Sequence, residues 1–207
     1  MEKLDLAKQY KSYYTAKTKP ELIDIEKAQY LSLTGKGDPS ARAFADRIQA
    51  LYATAYTIKF IFKEQGKDFV VPKLEGLWWY DEERFAALSF DETPAVVPRS
   101  EWEYRLLIRM PDFVSRQEVA SAIDAVVSKK NIRLAKAITL HEMTEGKAVQ
   151  MLHIGPFEKE PDTLKQLLEF TQARQLQKNG LHHEIYLSDF RKTSSDKLKT
   201  ILREPVK

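Results

Sequence analysis

Residues 28–66 read AQYLSLTGKGDPSARAFADRIQALYATAYTIKFIFKEQG, which predicts a strand over 28–34 followed by a long helix. Asp38 suits the N-cap of this helix and Pro39 its first position, where the missing N–H of proline costs nothing. Gly66 is expected to end the helix. Between these limits apolar side chains recur at helical spacing and form one stripe: Phe44, Ile48, Leu51, Ala55, Ile58 and Phe62.

The same succession of elements recurs later in the chain. Residues 150–155, QMLHIG, lead into a second long helix, predicted over about 159–178 and ended by Asn179-Gly180. Each long helix is followed by a strand that closes in aspartate, LWWYD at 77–81 and IYLSD at 185–189. We interpret this pattern as an internal repeat within one domain over 1–207, an α+β fold of two tandem β-α-β-β modules at about 20–112 and 113–207. Their antiparallel sheet would carry helices on one face and a ligand groove between the modules.

The remaining elements follow from local signals. Strands are predicted at 74–80 and 101–110, and Ser115 with Glu118 forms a capping box that starts a helix over about 116–130. A short turn at Glu145-Gly146 joins strands at 137–143 and 148–154. Two more strands are predicted at 183–188 and 198–203. The residues expected to face inward from the two later helices are Val119, Ile123, Val126, Val127, Leu164, Leu167, Leu168 and Thr171.

Composition excludes several classes of protein. The chain has no cysteine, which excludes disulfides, thiolate metal sites and a cysteine nucleophile. A net charge of +3 spread over interspersed charges favours a solvated surface over a basic patch for nucleic acid. No apolar run approaches the ~20 residues of a membrane span, and the first residues lack the apolar core of a signal peptide. We therefore expect a soluble, cytoplasmic protein that does not insert into membranes.

Glu184 is the first candidate for chemistry. On an alternating strand it shares a face with Tyr186, whereas Ile185 and Leu187 lie on the opposite face. We expect the helices to cover the Ile185 and Leu187 face, which leaves Glu184 and Tyr186 toward the groove. A carboxylate among rings can attract a cation or act as a base. The alternative is an exposed strand glutamate paired with a lysine.

Aromatic residues form the second signal. Trp78, Trp79 and Tyr80 lie on one predicted strand, and Trp102 and Tyr104 lie on its neighbour. Such rings stack on planar ligands and on cations, which favours a cage, although an ordinary core is the alternative. Successive residues of a strand point to opposite faces, so only one of the two adjacent tryptophans can face the groove. The repeat aligns Trp78 with the tyrosine at 186 and so favours Trp78.

The four histidines do not suggest a metal site. His182 and His183 are adjacent on a strand and face opposite ways, and the sequence has no HExxH spacing. Gly35-Lys36-Gly37 is too short for a phosphate-binding loop and is better explained as a tight turn. We therefore predict neither a metal nor a cofactor.

Several segments, taken together, resemble the GyrI-like small-molecule-binding proteins, the family that also supplies effector-binding domains to MerR- and AraC-type transcription regulators. They span nearly the whole chain: YLSLTGKGDP at 30–39, LEGLWW at 74–79, RMPDFV at 109–114, HIGPF at 153–157, HEIYLSD at 183–189 and RKT at 191–193. The resemblance implies two SHS2-like modules around one groove. It also matches Glu184 to the family's pocket glutamate, which meets cationic, lipophilic ligands.

A subset of standalone members of that family resembles hydrolases that open the strained cyclopropane of DNA-alkylating natural products. For such a reaction our hypothesis, motivated by the position of Glu184 among the groove aromatics, is that Glu184 positions or deprotonates the attacking water and that Tyr104 or Tyr186 hydrogen-bonds the substrate carbonyl. The ligand-binding candidates are Trp78, Trp79, Tyr80, Trp102, Phe157 and Tyr186. Phe157 stands where tyrosine is common, which removes a hydroxyl that could contact ligand. Phe190 stands where proline is usual, a change expected to affect only the rigidity of a turn.

The sequence thus predicts a protein that binds planar, hydrophobic or cationic aromatic small molecules, such as xenobiotics, as a monomer or weak dimer. Whether it also hydrolyses cyclopropanoid compounds stays open. No segment of helix-turn-helix length precedes the first module, so no direct contact with nucleic acid is expected. The alternative is a regulator or inhibitor subunit that binds a protein partner and has no affinity for small molecules.

Overall fold

Strands and helices alternate along the chain in a computed structural model that describes residues 3–85, 88 and 92–207. The helices are α1 (Leu6–Gln9), α2 (Lys11–Tyr14), α3 (Arg42–Glu64), α4 (Glu82–Phe85), α5 (Thr93–Val96), α6 (Arg116–Lys130) and α7 (Glu160–Ala173). The strands are β1 (Glu21–Ile25), β2 (Ala28–Lys36), β3 (Leu74–Trp79), β4 (Glu103–Met110), β5 (Thr139–Met143), β6 (Gly146–Ile154), β7 (His182–Tyr186) and β8 (Lys199–Pro205). The predicted α+β class is confirmed.

All eight of these strands form one antiparallel sheet in the order β1-β6-β8-β7-β3-β4-β2-β5. The halves repeat one topology, since β2 and β3 both pair with β4, and β6 and β7 both pair with β8. The halves meet where β3 pairs with β7, and we call this pairing the seam. At the seam Trp78 lies opposite His182, and Gly76 lies opposite Glu184. Directly opposed residues of an antiparallel pair project to the same face.

Two short links connect the ends of the sheet. Only residues 26 and 27 separate β1 from β2, and only residues 144 and 145 separate β5 from β6. Pairing continues in the same register across both links, from Ile25 with Gly146 to Ala28 with Met143. The prediction that β5 turns back into β6 at Glu145-Gly146 is therefore wrong. The chain runs onward instead, because the Glu145 side chain is held in the interior.

The three long helices cover one face of the sheet. Helix α3 packs on β2 and β4, α6 packs on α3, and α7 packs on β6 and β8. The predicted apolar stripe of α3 is buried throughout, and the capping box of Ser115 and Glu118 starts α6 as expected. Within the described ranges, no helix is both long and apolar enough to cross a membrane.

The predicted limits of two helices need correction. Helix α3 begins at Arg42, because the Asp38 carboxylate accepts the backbone N–H of Ser40 at 2.8 Å and closes a local turn instead of capping the helix. Helix α7 ends at Ala173, short of Asn179-Gly180. The backbone of residues 177 and 179 instead hydrogen-bonds to residues 205 and 207 at the chain's end.

The opposite face of the sheet is covered by α1 and α2, which the sequence analysis did not predict. Leu6, Tyr13 and Tyr14 pack there against Ile185 and other apolar residues of the strands. The expectation that the long helices cover the Ile185 and Leu187 face is therefore wrong. The face that carries Glu184 and Tyr186 is the face of α3 and α7.

A buried network of charged side chains lies between the seam and α2. The Glu145 carboxylate accepts hydrogen bonds from Nδ1 of His183 at 2.8 Å and from Nη1 of Arg203 at 3.1 Å. Burial opposes the charge on Glu145, but His183 and Arg203 outweigh it and lower the pKa of Glu145 to about 2. Burial likewise opposes protonation of His183, but Glu145 and Glu75 raise the pKa of His183 to about 9. His183 is therefore an imidazolium at neutral pH.

The same network fixes α2 to both halves of the sheet. Glu75 of β3 accepts from Nε2 of His183 at 3.0 Å and from the hydroxyl of Tyr13. Arg203 of β8 donates to the carbonyl of Tyr13 at 2.8 Å and to Gln150 of β6 at 2.9 Å. Each charged group thus has several partners, which a charge removed from water requires.

Replacement of Arg203 by methionine tests this network. Arg203→Met leaves Glu145 short of a partner in a site that excludes water, and we expect a loss of about 3–5 kcal/mol in the free energy of unfolding. As a control, Lys27→Met removes an exposed ion pair with Glu142 and is expected to cost less than about 1 kcal/mol. Urea denaturation measures both. Equal, small losses would contradict a structural role for the network.

Candidate functional site

A cleft of about 690 Å³ opens over the seam, on the face covered by α3 and α7. Its floor consists of Trp78 on β3 with Glu184 and Tyr186 on β7. Phe44 borders it near the start of α3, and Phe157 borders it just before α7. The groove that the repeat predicted between the two halves therefore exists, although it lies between the long helices and not on the opposite face.

Trp78 is the central ring of the floor. Its indole N–H donates to the hydroxyl of Tyr186 at 3.1 Å, and its ring stacks on Phe44 at 5.9 Å between centroids. Trp102 meets the same indole edge-on at 5.9 Å. Gly76 makes this arrangement possible, because a Cβ there would lie 2.9 Å from the indole nitrogen and 3.0 Å from the Tyr186 hydroxyl. Trp78 thus leans across Gly76 from one half of the sheet to the other.

A second group of rings forms the wall near α7. Phe157, Tyr186 and Phe190 meet edge to face in all three pairs, with centroids 5.8–6.2 Å apart. The expectation that Phe190 affects only the rigidity of its turn is therefore wrong, because its ring borders the cleft. Phe190 supplies apolar surface next to Phe157, so the cleft is lined by rings on both sides of the seam.

The inner end of the cleft is acidic. His182 contacts Glu184 through Nε2 at 3.2 Å and Glu204 of β8 through Nδ1. Burial lowers the pKa of His182, but Glu204 and Glu184 outweigh burial and raise that pKa well above its usual value. One imidazolium thus faces two carboxylates. The pKa of Glu160 on α7 is raised well above its usual range, mainly by burial and next by the nearby charge of Glu184.

Seven of the eight residues predicted to form the site border this cleft: Trp78, Trp79, Tyr80, Trp102, Phe157, Glu184 and Tyr186. The indole of Trp79 nevertheless packs on the other face of the sheet and donates to Glu103 at 3.0 Å. Tyr104 does not border the cleft. It is buried against Phe44 beneath Trp78, with its ring over Gly35.

Sequence reasoning missed Glu160, Glu204 and the part played by His182. Glu204 offered a signal, because it alternates with Leu202 and Val206 on a strand whose apolar side faces α7. A carboxylate at that spacing departs from the apolar pattern of the strand. Glu160 offered none, since acidic residues are common in the first turn of any helix.

Comparison with known proteins identifies relatives of the whole chain. The family model of the GyrI-like small molecule binding domain matches residues 110–207. An uncharacterized conserved protein from Listeria innocua is 36% identical over 99% of this chain and 100% of its own, with a TM-score of 0.88. A hydrolase from Listeria innocua is also 36% identical over the same shares, with a TM-score of 0.84. The EcmrR C-terminal domain, 12% identical over 91% of this chain and 97% of its own, shares the fold at a TM-score of 0.55. No curated protein matches the chain significantly.

The charge arrangement at the inner end is testable by titration. Glu204→Gln removes the carboxylate that opposes the burial of His182 most strongly, so we expect the pKa of His182 to fall. Proton NMR of the imidazole C–H signals measures that pKa. Glu82→Gln serves as control, because Glu82 pairs with Lys178 at the mouth of the cleft. An unchanged His182 midpoint in Glu204→Gln would contradict the arrangement.

Proposed function

The chain belongs to the GyrI-like small molecule binding family, and we propose that its cleft binds flat, lipophilic aromatic molecules and prefers cationic ones. The observation that carries this proposal is the combination of aromatic walls with an inner end where Glu184 and Glu204 share one imidazolium. Rings on both sides of the seam suit a planar ligand, which gains contact area and stacking. The excess of carboxylate over imidazolium makes the inner end attractive to positive charge.

Two physical effects favour a cation in this cleft. Indole and phenol faces attract a cation through their quadrupoles, more strongly where water is excluded. The carboxylates act over short distances in a site of reduced dielectric, which strengthens their attraction for a ligand charge. A neutral aromatic molecule of the same shape gains only from stacking and burial. The proposal therefore predicts a charge preference as well as a shape preference.

Calorimetric titration with a matched pair of probes tests this function. We expect 10-methylacridinium to bind more tightly than acridine, which is its neutral counterpart at about pH 8, by about tenfold. Glu184→Gln should weaken binding of the cation while it leaves acridine unaffected. Glu142→Gln removes a carboxylate on β5, at the far end of the sheet, and should change neither affinity. Absence of saturable binding by either probe would contradict the proposal and favour the alternative of a protein partner.

Hydrolysis in the same cleft is a second candidate function. It is favoured by the two relatives described as hydrolases from Listeria innocua, which are 36% and 35% identical to this chain. For a spirocyclopropyl dienone, water would attack the strained CH₂ and form a C–O bond as the cyclopropane C–C bond breaks. The released electron pair makes the carbonyl oxygen a phenolate, and Glu184 takes the proton of the attacking water. Tyr186, which borders the cleft, is assigned the hydrogen bond to that oxygen in place of the buried Tyr104.

Mass spectrometry separates binding from hydrolysis. We expect a spirocyclopropyl dienone incubated with the protein to gain the mass of one water. Glu184→Gln should slow this addition about 10²–10⁴-fold, as loss of a positioned base does. Addition at the wild-type rate in Glu184→Gln would contradict the base role. No addition by the wild-type protein, despite saturable binding, would leave binding as the function.

A further inference from the structure

Two buried carboxylate oxygens at the inner end of the cleft have no hydrogen-bond partner within the described part of the chain. They are Oε1 of Glu160 and Oε2 of Glu204. Both residues border the cleft and are well buried, with 8% and 1% of their surface exposed. Buried polar atoms are almost always paired, because an unpaired one forfeits its hydration. Two such atoms in one cleft point to donors that arrive with the ligand.

The basic and aromatic side chains that could donate to these oxygens are already engaged. His182 uses Nε2 on Glu184 and Nδ1 on the other oxygen of Glu204. At the mouth of the cleft, Lys178 pairs with Glu82 at 2.8 Å, and the Arg99 guanidinium lies over the Trp102 ring, 5.7 Å from its centroid. The Trp78 indole N–H donates to the Tyr186 hydroxyl, and that hydroxyl in turn hydrogen-bonds to Glu184. These groups therefore leave the two unpaired oxygens to a donor from outside the protein.

We infer that the ligand carries a protonated nitrogen with N–H donors, an ammonium or amidinium group, which Glu160 and Glu204 accept at the inner end of the cleft. This inference rests on the proposed function and narrows its ligand class. The aromatic part of the ligand lies against Trp78 and Phe157, and the nitrogen points toward α7. A quaternary ammonium or phosphonium ion has the charge but no N–H, so it leaves both oxygens unpaired.

A comparison of primary with quaternary ammonium shows whether the carboxylate oxygens contribute to binding or whether an aromatic cage alone attracts the cation. A cage of rings recognises quaternary ammonium at least as well as primary ammonium, because only the quadrupole and the charge matter. The unpaired oxygens of Glu160 and Glu204 should reverse that order of affinities, because only the primary ammonium can donate hydrogen bonds to them. Hydrogen bonds that involve charged groups are among the stronger ones in proteins. The order of the two affinities therefore reports whether the carboxylate oxygens accept from the ligand.

Binding is also coupled to a proton on Glu160. Burial and Glu184 raise the pKa of Glu160, with a smaller contribution from Glu158, while His182 opposes them. Glu160 therefore holds a proton in the free protein until the pH exceeds its raised pKa. A bound ammonium favours the ionised carboxylate and displaces that proton. Affinity should rise with pH below the raised pKa, because removal of the proton then requires less free energy.

The experiment compares naphthalen-2-ylmethylammonium with its N,N,N-trimethyl analogue by calorimetry at about pH 7, where both carry one positive charge. In the wild-type protein we expect the primary ammonium to bind about tenfold more tightly. Glu160→Gln should abolish that preference while it retains binding of the trimethyl compound, which shows that the cleft is intact. Glu158→Gln removes an exposed carboxylate near the same helix start and should weaken both compounds equally, so that the preference persists.

The outcomes distinguish this inference from the proposed function. If neither cation binds, the proposed function fails and the inference fails with it. If both bind equally, if the trimethyl compound binds more tightly, or if the preference survives in Glu160→Gln, the inference alone is overturned. Calorimetry of the primary ammonium in buffers of different ionisation enthalpy gives a second readout. At a pH below the raised pKa of Glu160, we expect proton release by the wild-type protein and none by Glu160→Gln.

Discussion

Behind the seam, Glu145 accepts hydrogen bonds from His183 and Arg203 where water does not reach. Removal of these charges from water is costly, so the contact is stable only while every partner is present. Glu145 lies in the link between β5 and β6, so the contact makes the chain cross from one half of the sheet to the other. Arg203 also binds the backbone of α2. The cluster of Glu145, His183 and Arg203 therefore holds together the β5–β6 link, the neighbouring strands β7 and β8, and the N-terminal helices.

The two seam strands, β3 and β7, contribute side chains to both faces of the sheet, because successive side chains of a strand point to opposite faces. On β7, His183 and Ile185 point back toward the network and the N-terminal helices, whereas His182, Glu184 and Tyr186 point forward into the cleft. On the back face, the carboxylates of Glu75 and Glu145 accept hydrogen bonds at both oxygens, which a stable buried charge requires. On the front face, two carboxyl oxygens have no donor among the residues that the structure describes, and we assign them to a ligand. The fully paired network on the back face thus fixes the strands whose front face lines the cleft.

The sequence predicts features that depend on neighbours along the chain. The apolar stripe of α3, the capping box of α6 and the repeated order of elements all follow from local spacing. Features that depend on contacts between residues far apart in the chain cannot be predicted in this way. The sequence Glu145-Gly146 has the composition of a turn, and only the contacts of Glu145 with β7 and β8 show that the chain continues onward there. Glu160 resembles any acidic residue in a first turn, and only the tertiary fold buries its Oε1 away from every donor in the described part of the chain.

A crystal structure of the protein with naphthalen-2-ylmethylammonium would locate both parts of the ligand. We expect the naphthalene to lie between Trp78 and the wall formed by Phe157 and Tyr186. We expect the ammonium nitrogen to lie about 3 Å from a carboxylate oxygen of Glu160 or Glu204. A ligand bound elsewhere on the surface, or one bound in the cleft with its nitrogen turned toward solvent, would contradict the account.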